Sequence, residues 1–180
     1  AYLILRQQDA AGVVTFSDHI ESFIPPKAKR DYLLQILHAL ENRGPAGETN
    51  VGKILEEIAG QIKRRGLVVL VSDLLDEPEQ ILQGLRLFRF KGNDVIVFHL
   101  LDPAELSLPF DGNILFEDLE EVNLRVVADP RAIRKTYQEV VEEFTSRMRQ
   151  GCHDNVIDYQ LISTATPLDQ ALASYLSWRG

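Results

Sequence analysis

The sequence predicts an α/β protein built on an open, mostly parallel sheet flanked by helices, with a small hairpin at the sheet edge. Three observations carry that expectation. Leu67-Val68-Val69-Leu70-Val71 and Asp94-Val95-Ile96-Val97-Phe98-His99-Leu100-Leu101 are continuously apolar rather than alternating, the pattern of parallel strands buried on both faces. Segments with apolar residues at helical spacing separate the strands, in the order β-α-β-α-β over short connections, which is how a helix-covered parallel sheet is written. The length of 180 residues and the 45% hydrophobic content suffice for one domain with a real core, and neither a repeat nor a linker divides residues 1–180.

The elements follow in order. Ala1-Tyr2-Leu3-Ile4-Leu5-Arg6-Gln7-Gln8-Asp9 has the character of the last turns of an amphipathic helix, without an initiator Met or a capping residue ahead of it. It predicts a domain truncated at its N-terminus. Gly12-Val13-Val14-Thr15-Phe16 is a β-branched and aromatic strand, Ser17-Asp18 turns the chain, and residues 19–24 return as an antiparallel strand that Pro25-Pro26 stops. Residues 31–40 place Leu33, Leu34, Ile36, Leu37 and Leu40 on a helical face. After a Gly/Pro-rich loop over 42–50, helix resumes over 51–65 with Ile54, Leu55, Ile58 and Ile62 inward. Glu77-Pro78-Glu79 opens the next helix with Pro in its first turn, and Ile81, Leu82, Leu85 and Phe88 form its stripe.

Residues 102–128 break the rhythm: a loop with a helical turn, then two short strands over 113–116 and 123–127 around the acidic turn 117–121, read as a hairpin inserted at the sheet edge. Asp129-Pro130 caps a helix that should run to about Gln150 with Ile133, Tyr137, Val140, Val141, Phe144 and Met148 inward and Gly151 as its stop. A last strand over 156–162 and a helix opened by Thr166-Pro167-Leu168-Asp169 complete the chain.

Composition excludes several classes. A net charge of −8 argues against nucleic acid, which needs a basic face. The basic runs Lys63-Arg64-Arg65 and Arg86, Arg89, Lys91 end predicted helices and complement their dipoles. A single cysteine, Cys152, allows no internal disulfide and fits a reducing compartment. No apolar run approaches the roughly 20 residues of a membrane span and no signal peptide is visible, so the expected location is the cytoplasm, without membrane contact. There is no Gly-x-Ser-x-Gly, no P-loop and no dinucleotide fingerprint. His19, His38, His99 and His153 share no metal-ligand spacing.

Ligands of open α/β sheets gather at the C-terminal strand ends. Two such ends carry carboxylates: Ser72-Asp73-Leu74-Leu75-Asp76 and Asp102-Pro103-Ala104-Glu105. Taken alone, Asp73 suits a turn, Thr49 suits an N-cap for the helix from Val51, and Asp102 and Glu105 suit structural turn positions.

These motifs also carry a resemblance. Gly12-Val13-Val14-Thr15-Phe16, then Gly47-Glu48-Thr49-Asn50 before a helix, then Arg64-Arg65-Gly66 leading into the strand that ends Ser72-Asp73-Leu74, resemble the von Willebrand factor A fold, a Rossmann-like architecture. With Asp102-Pro103-Ala104-Glu105-Leu106, Cys152 and its following strand, and Thr166-Pro167-Leu168-Asp169 through Tyr175 and Arg179, the chain resembles more narrowly the bacterial "domain of unknown function 58" family, over nearly its whole length. The resemblance implies a metal-ion-dependent adhesion site holding Mg²⁺ through a D-x-S-x-S loop, a Thr and an Asp. Thr49 and Asp73 match the second and third parts; the first would lie upstream of Ala1, after a strand central to the sheet. One hydroxyl and one carboxylate are too few for tight binding of an ion that takes six oxygens, so no tight binding is expected from this chain alone. The resemblance further implies a non-enzymatic interaction module whose partner is a MoxR-type AAA+ ATPase in a chaperone-like system. The alternative is a metal-dependent hydrolase of phosphoesterase type with Asp73 and Asp76 as ligands, although no nucleophile or general base is readable.

Overall fold

A computed structural model describes residues 1–29, 31–41, 50–112, 114–117 and 125–179. Helix α1 (Tyr2–Arg6) leads into the antiparallel pair β1 (Ala11–Phe16) and β2 (Ile20–Lys27), which forms a two-stranded sheet of its own. The prolines do not stop β2; the strand runs through both. Proline cannot donate to a ladder and is tolerated at edges and bulges, and the register shifts between Ala11 and Val13, opposite the proline pair. Val14, Phe16 and Ile20 of this hairpin pack against the main core.

Helix α2 (Tyr32–Glu41) buries a narrower face than its leucines predict. Tyr32 and Ile36, one turn apart, are buried, whereas Leu34, Leu37 and Leu40 are exposed. The Tyr32 hydroxyl donates to the Pro25 carbonyl at 2.6 Å, which pins the helix to β2 along that one line. Thr49 lies outside the described residues. The cap of α3 (Val51–Gln61) is Asn50, whose side-chain oxygen accepts from the Lys53 N–H at 2.9 Å. Helix α3 stops at Gln61, short of the predicted end at 65, because Ile62 turns to an extended conformation.

The central unit is a parallel sheet in the order β3 (Leu67–Ser72), β4 (Asp94–Leu101), β7 (Asp158–Ser163). Helix α4 (Pro78–Phe90) connects the first two strands, and Ile81, Leu82, Leu85 and Phe88 are buried as the periodicity predicts. Buried Asn93 ties the connection: its side-chain oxygen accepts from Gly66 N–H at 3.0 Å and its amide donates to the Phe88 carbonyl at 3.1 Å. Strand β4 is apolar on both faces because both are covered; Val95, Ile96 and Val97 are all buried. Strand β3 is not. Leu70 faces the core, but Leu67, Val69 and Val71 are 52%, 46% and 55% exposed. On the second face, Tyr175 of α7 (Leu168–Arg179) meets Phe98 of β4 edge-on at 5.3 Å, and no described element covers the β3 side of it.

After β4 come α5 (Pro103–Ser107) and the strands β5 (Ile114–Glu117) and β6 (Arg125–Ala128). They pair antiparallel as the sequence predicts, yet in a separate two-stranded sheet and not on the edge of the parallel one. The edge strands of the parallel sheet are β3 and β7, and among the described residues neither pairs with this hairpin.

Helix α6 (Pro130–Asp154) passes through Gly151 and is capped by Asn155. A Cβ at Gly151 would lie 2.3 Å from Leu82 Cδ1, so this glycine serves a close crossing with α4 and not a stop. Met148 and Cys152 are fully buried, but Ile133 and Val140 are exposed. The first half of α6 lies beyond the core and is held by polar contacts: Arg134 donates to the carbonyls of Leu108 and Phe110 at 3.0 and 2.8 Å, and Gln138 donates to that of Ser107 at 3.1 Å.

The tightest packing is between α3 and α4. A Cβ at Gly52 would lie 2.7 Å from the Gln80 carbonyl carbon, and one at Gly84 would lie 2.6 Å from Leu55 Cβ. Overpacking of this kind costs about 1–3 kcal/mol. Gly52→Ala and Gly84→Ala are therefore expected to lower stability by that amount, read from the urea midpoint. Gly60→Ala, where nothing lies within 4 Å, should raise it by up to about 1 kcal/mol, the difference in helix propensity.

Candidate functional site

The site is built where β3 ends. Ser72 closes the ladder opposite His99 of β4, and the chain then turns through Asp73, Leu74, Leu75 and Asp76. Leu74 has φ 55 and is 0% exposed. A left-handed leucine backbone costs about 1–2 kcal/mol, and two features hold it there. Its side chain belongs to the core cluster. Around it, Leu74 N–H donates to Ser72 Oγ at 3.0 Å and Asp76 N–H donates to the Leu74 carbonyl at 2.8 Å. The Asp76 carboxylate then joins two helix starts, accepting from Glu77 N–H at 2.7 Å and from Gly52 N–H at 3.1 Å. Anionic oxygens suit helix N-termini, whose first N–H groups have no partner within the helix.

The carboxylates of this edge thus divide by role. Asp76 is a structural bridge between α3 and α4. Asp102 and Glu105 form the capping box of α5. Asp102 Oδ1 accepts from Ala104 N–H at 2.8 Å, its Oδ2 accepts from the Thr164 hydroxyl at 3.0 Å, and Glu105 Oε2 accepts from Asp102 N–H at 2.6 Å. Asp73 is exposed, and among the described residues its carboxylate meets only the Ser72 hydroxyl, at a long 3.4 Å. Its hard anionic oxygens fit a hard cation such as Mg²⁺. Among the described residues no group of three or more His, Cys, Asp or Glu is arranged to hold a metal, so a cation at Asp73 would need further ligands, with Thr49 the sequence candidate.

The structure adds a residue that ligand spacing passes over. His99 is 1% exposed. Its Nε2 lies 2.9 Å from the Asp73 carbonyl oxygen and its Nδ1 lies 2.7 Å from the Tyr159 hydroxyl. Burial pulls the imidazole below its ordinary pKa, against a smaller upward pull from the Asp73 carbonyl and carboxylate. Burial likewise pushes the Tyr159 phenol up. The sequence signal was there: a histidine inside a continuously apolar strand, close to its C-terminal end.

Comparison with known proteins follows the same lines. The model of the family described as protein of unknown function DUF58 matches residues 1–147. The chain belongs to this family. Two solved structures share the DUF58 chain's fold. One is the conserved hypothetical protein BatB from Bacteroides thetaiotaomicron, 13% identical, with a TM-score of 0.55 over 98% of this chain and 84% of that one. The other is an aerotolerance-related membrane protein from Bacteroides fragilis, crystallised with multiple mutations to serines, 15% identical, with a TM-score of 0.53 over 97% and 83%. At such identities the likeness speaks for the fold alone. No curated protein matches the sequence. Among the described residues of the DUF58 chain, no helix is long and apolar enough to cross a membrane.

Cys152 is buried in the core cluster that also holds Leu74, and desolvation pushes its thiol up to about 12. The thiolate is the reactive form, so the folded protein should resist iodoacetamide at pH 8–9, where an unfolded thiol of ordinary pKa, near 9, is partly ionised. Alkylation should become fast on addition of denaturing urea. Rapid labelling in buffer alone would contradict the buried placement.

Proposed function

We propose that this DUF58 chain is a non-enzymatic protein-interaction module of von Willebrand factor A type. Its binding face is the strand-end edge carrying Asp73, where Asp73 and Thr49 contribute oxygens to a Mg²⁺-dependent adhesion site. The supporting observation is the exposed Asp73 carboxylate, which accepts no backbone N–H from the described residues, on a loop whose other carboxylate, that of Asp76, is engaged by two backbone donors. Mg²⁺ keeps open positions when protein ligands are few, and a partner's carboxylate could fill one. The partner class, a MoxR-type AAA+ ATPase, rests on the sequence resemblance.

The test is co-purification of the protein with such an ATPase, with Mg²⁺ or with EDTA, for wild type and Asp73→Ala. Chelation and the substitution should each weaken association by at least about tenfold, the scale of a lost charged interface contact. Their effects should not add, because both remove the same bridge. Association indifferent to both would overturn the metal-bridged reading.

A further inference from the structure

We propose that His99 and Tyr159 are positioning residues that fix the backbone of the Asp73 loop, and so the direction in which the Asp73 carboxylate is presented. The metal use of that carboxylate rests on the function proposed above; the positioning does not. The parallel ladder holds β3 only as far as Ser72, opposite His99. One residue further the Asp73 carbonyl has no partner in the described strands, and the His99 side chain takes that place at 2.9 Å. A carbonyl oxygen can only accept, so Nε2 carries the proton. Nδ1 of a neutral imidazole is then an acceptor, and the Tyr159 hydroxyl, 2.7 Å away, donates to it. The ring is confined as well as bonded: Phe144 of α6 meets it at a centroid distance of 5.8 Å and the Tyr159 ring at 5.9 Å.

The chain of contacts is therefore continuous, from β7 through Tyr159 to His99 and on to the Asp73 carbonyl. Holding that carbonyl fixes the peptide plane between Asp73 and Leu74, and so the entry into Leu74's left-handed conformation. A histidine that merely satisfied its own buried nitrogens would leave the loop indifferent to which nitrogen was kept.

Two substitutions separate these cases. In His99→Gln the side-chain amide reaches the Nε2 position and can still donate to the Asp73 carbonyl. In His99→Asn the shorter amide reaches only the Nδ1 position. Amide hydrogen exchange at Leu74 and Asp76, measured by NMR on the full metal-free chain, reads the loop directly. His99→Asn should speed both by about tenfold or more, and His99→Gln should stay within about threefold of wild type. Tyr159→Phe, which keeps the ring and removes the donor, should fall between them. Exchange in α6 should not separate the two His99 variants. Mn²⁺ titration of the same protein should follow the same order, with His99→Asn weakened about 10–100-fold, as for the loss of an outer partner of a metal ligand. If His99→Gln and His99→Asn are equally impaired, or if His99→Asn leaves the loop amides protected, the positioning role is overturned. If loop exchange separates the two variants but wild type takes no Mn²⁺, positioning stands and the metal reading fails.

Discussion

The far end of the turn that follows β3 depends on how closely α3 crosses α4. Gly52 and Gly84 face the neighbouring helix where a methyl group would sit inside van der Waals contact. That approach is what lets Gly52 N–H reach the Asp76 carboxylate. The bridge anchors the far end of the turn that follows β3, while Ser72 and His99 hold its near end. With both ends fixed, the intervening Leu74 is held in a left-handed backbone and buries its side chain in the core. A helix–helix distance is thereby converted into the position of a single exposed carboxylate.

Acidic residues at this edge are not interchangeable, and capping chemistry sorts them. Helix starts expose N–H donors that must be met, and Asp76, Asp102 and Glu105 meet them. A carboxylate so engaged is held in the direction its backbone donors set, with fewer lone pairs left for anything else. Asp73 carries no such obligation. The difference is one of backbone context: Asp73 follows a strand end and precedes a left-handed residue, whereas Asp76 and Asp102 each stand at the start of a helix.

Much of this was legible in the sequence, and the failures have physical causes. Strand β4 and helix α4 lie where apolar pattern puts them, because both are packed on every side the pattern implies. The apolar run of β3 has the same composition, but burial depends on what lies across the sheet, and a strand's own residues do not state that. The leucines of α2 and the first half of α6 fail for the same reason: periodicity finds an apolar stripe but not the width of the surface that meets it. Gly151 shows a related ambiguity, since a helix glycine can mark a stop or a crossing, and only the partner Leu82 decides. Among the candidate residues, strand-end position marked Asp73 together with Asp76, Asp102 and Glu105, the family resemblance alone singled out Asp73, and Thr49 lies outside the described residues. His99 was passed over because spacing rules look for ligands and not for groups that hold the ligand's backbone.

That last distinction bears on how a site with a single free carboxylate among the described residues could work. Ordering a residue's backbone costs about 1–2 kcal/mol, and a loop that had to organise around a cation would lose that from the binding. Here the hydrogen bonds at Ser72, Asp76 and His99, together with the buried Leu74 side chain, already order the turn during folding. The exposed side of the turn can then present Asp73 without further rearrangement, which is the condition under which a small number of ligands is most effective. The same rigidity would serve a partner contact without any metal, since a carboxylate held in one direction is as well placed for a cationic side chain as for an ion. A bridging cation and a direct contact differ in what a chelator does to the complex, not in what His99 and Asp76 do to the loop.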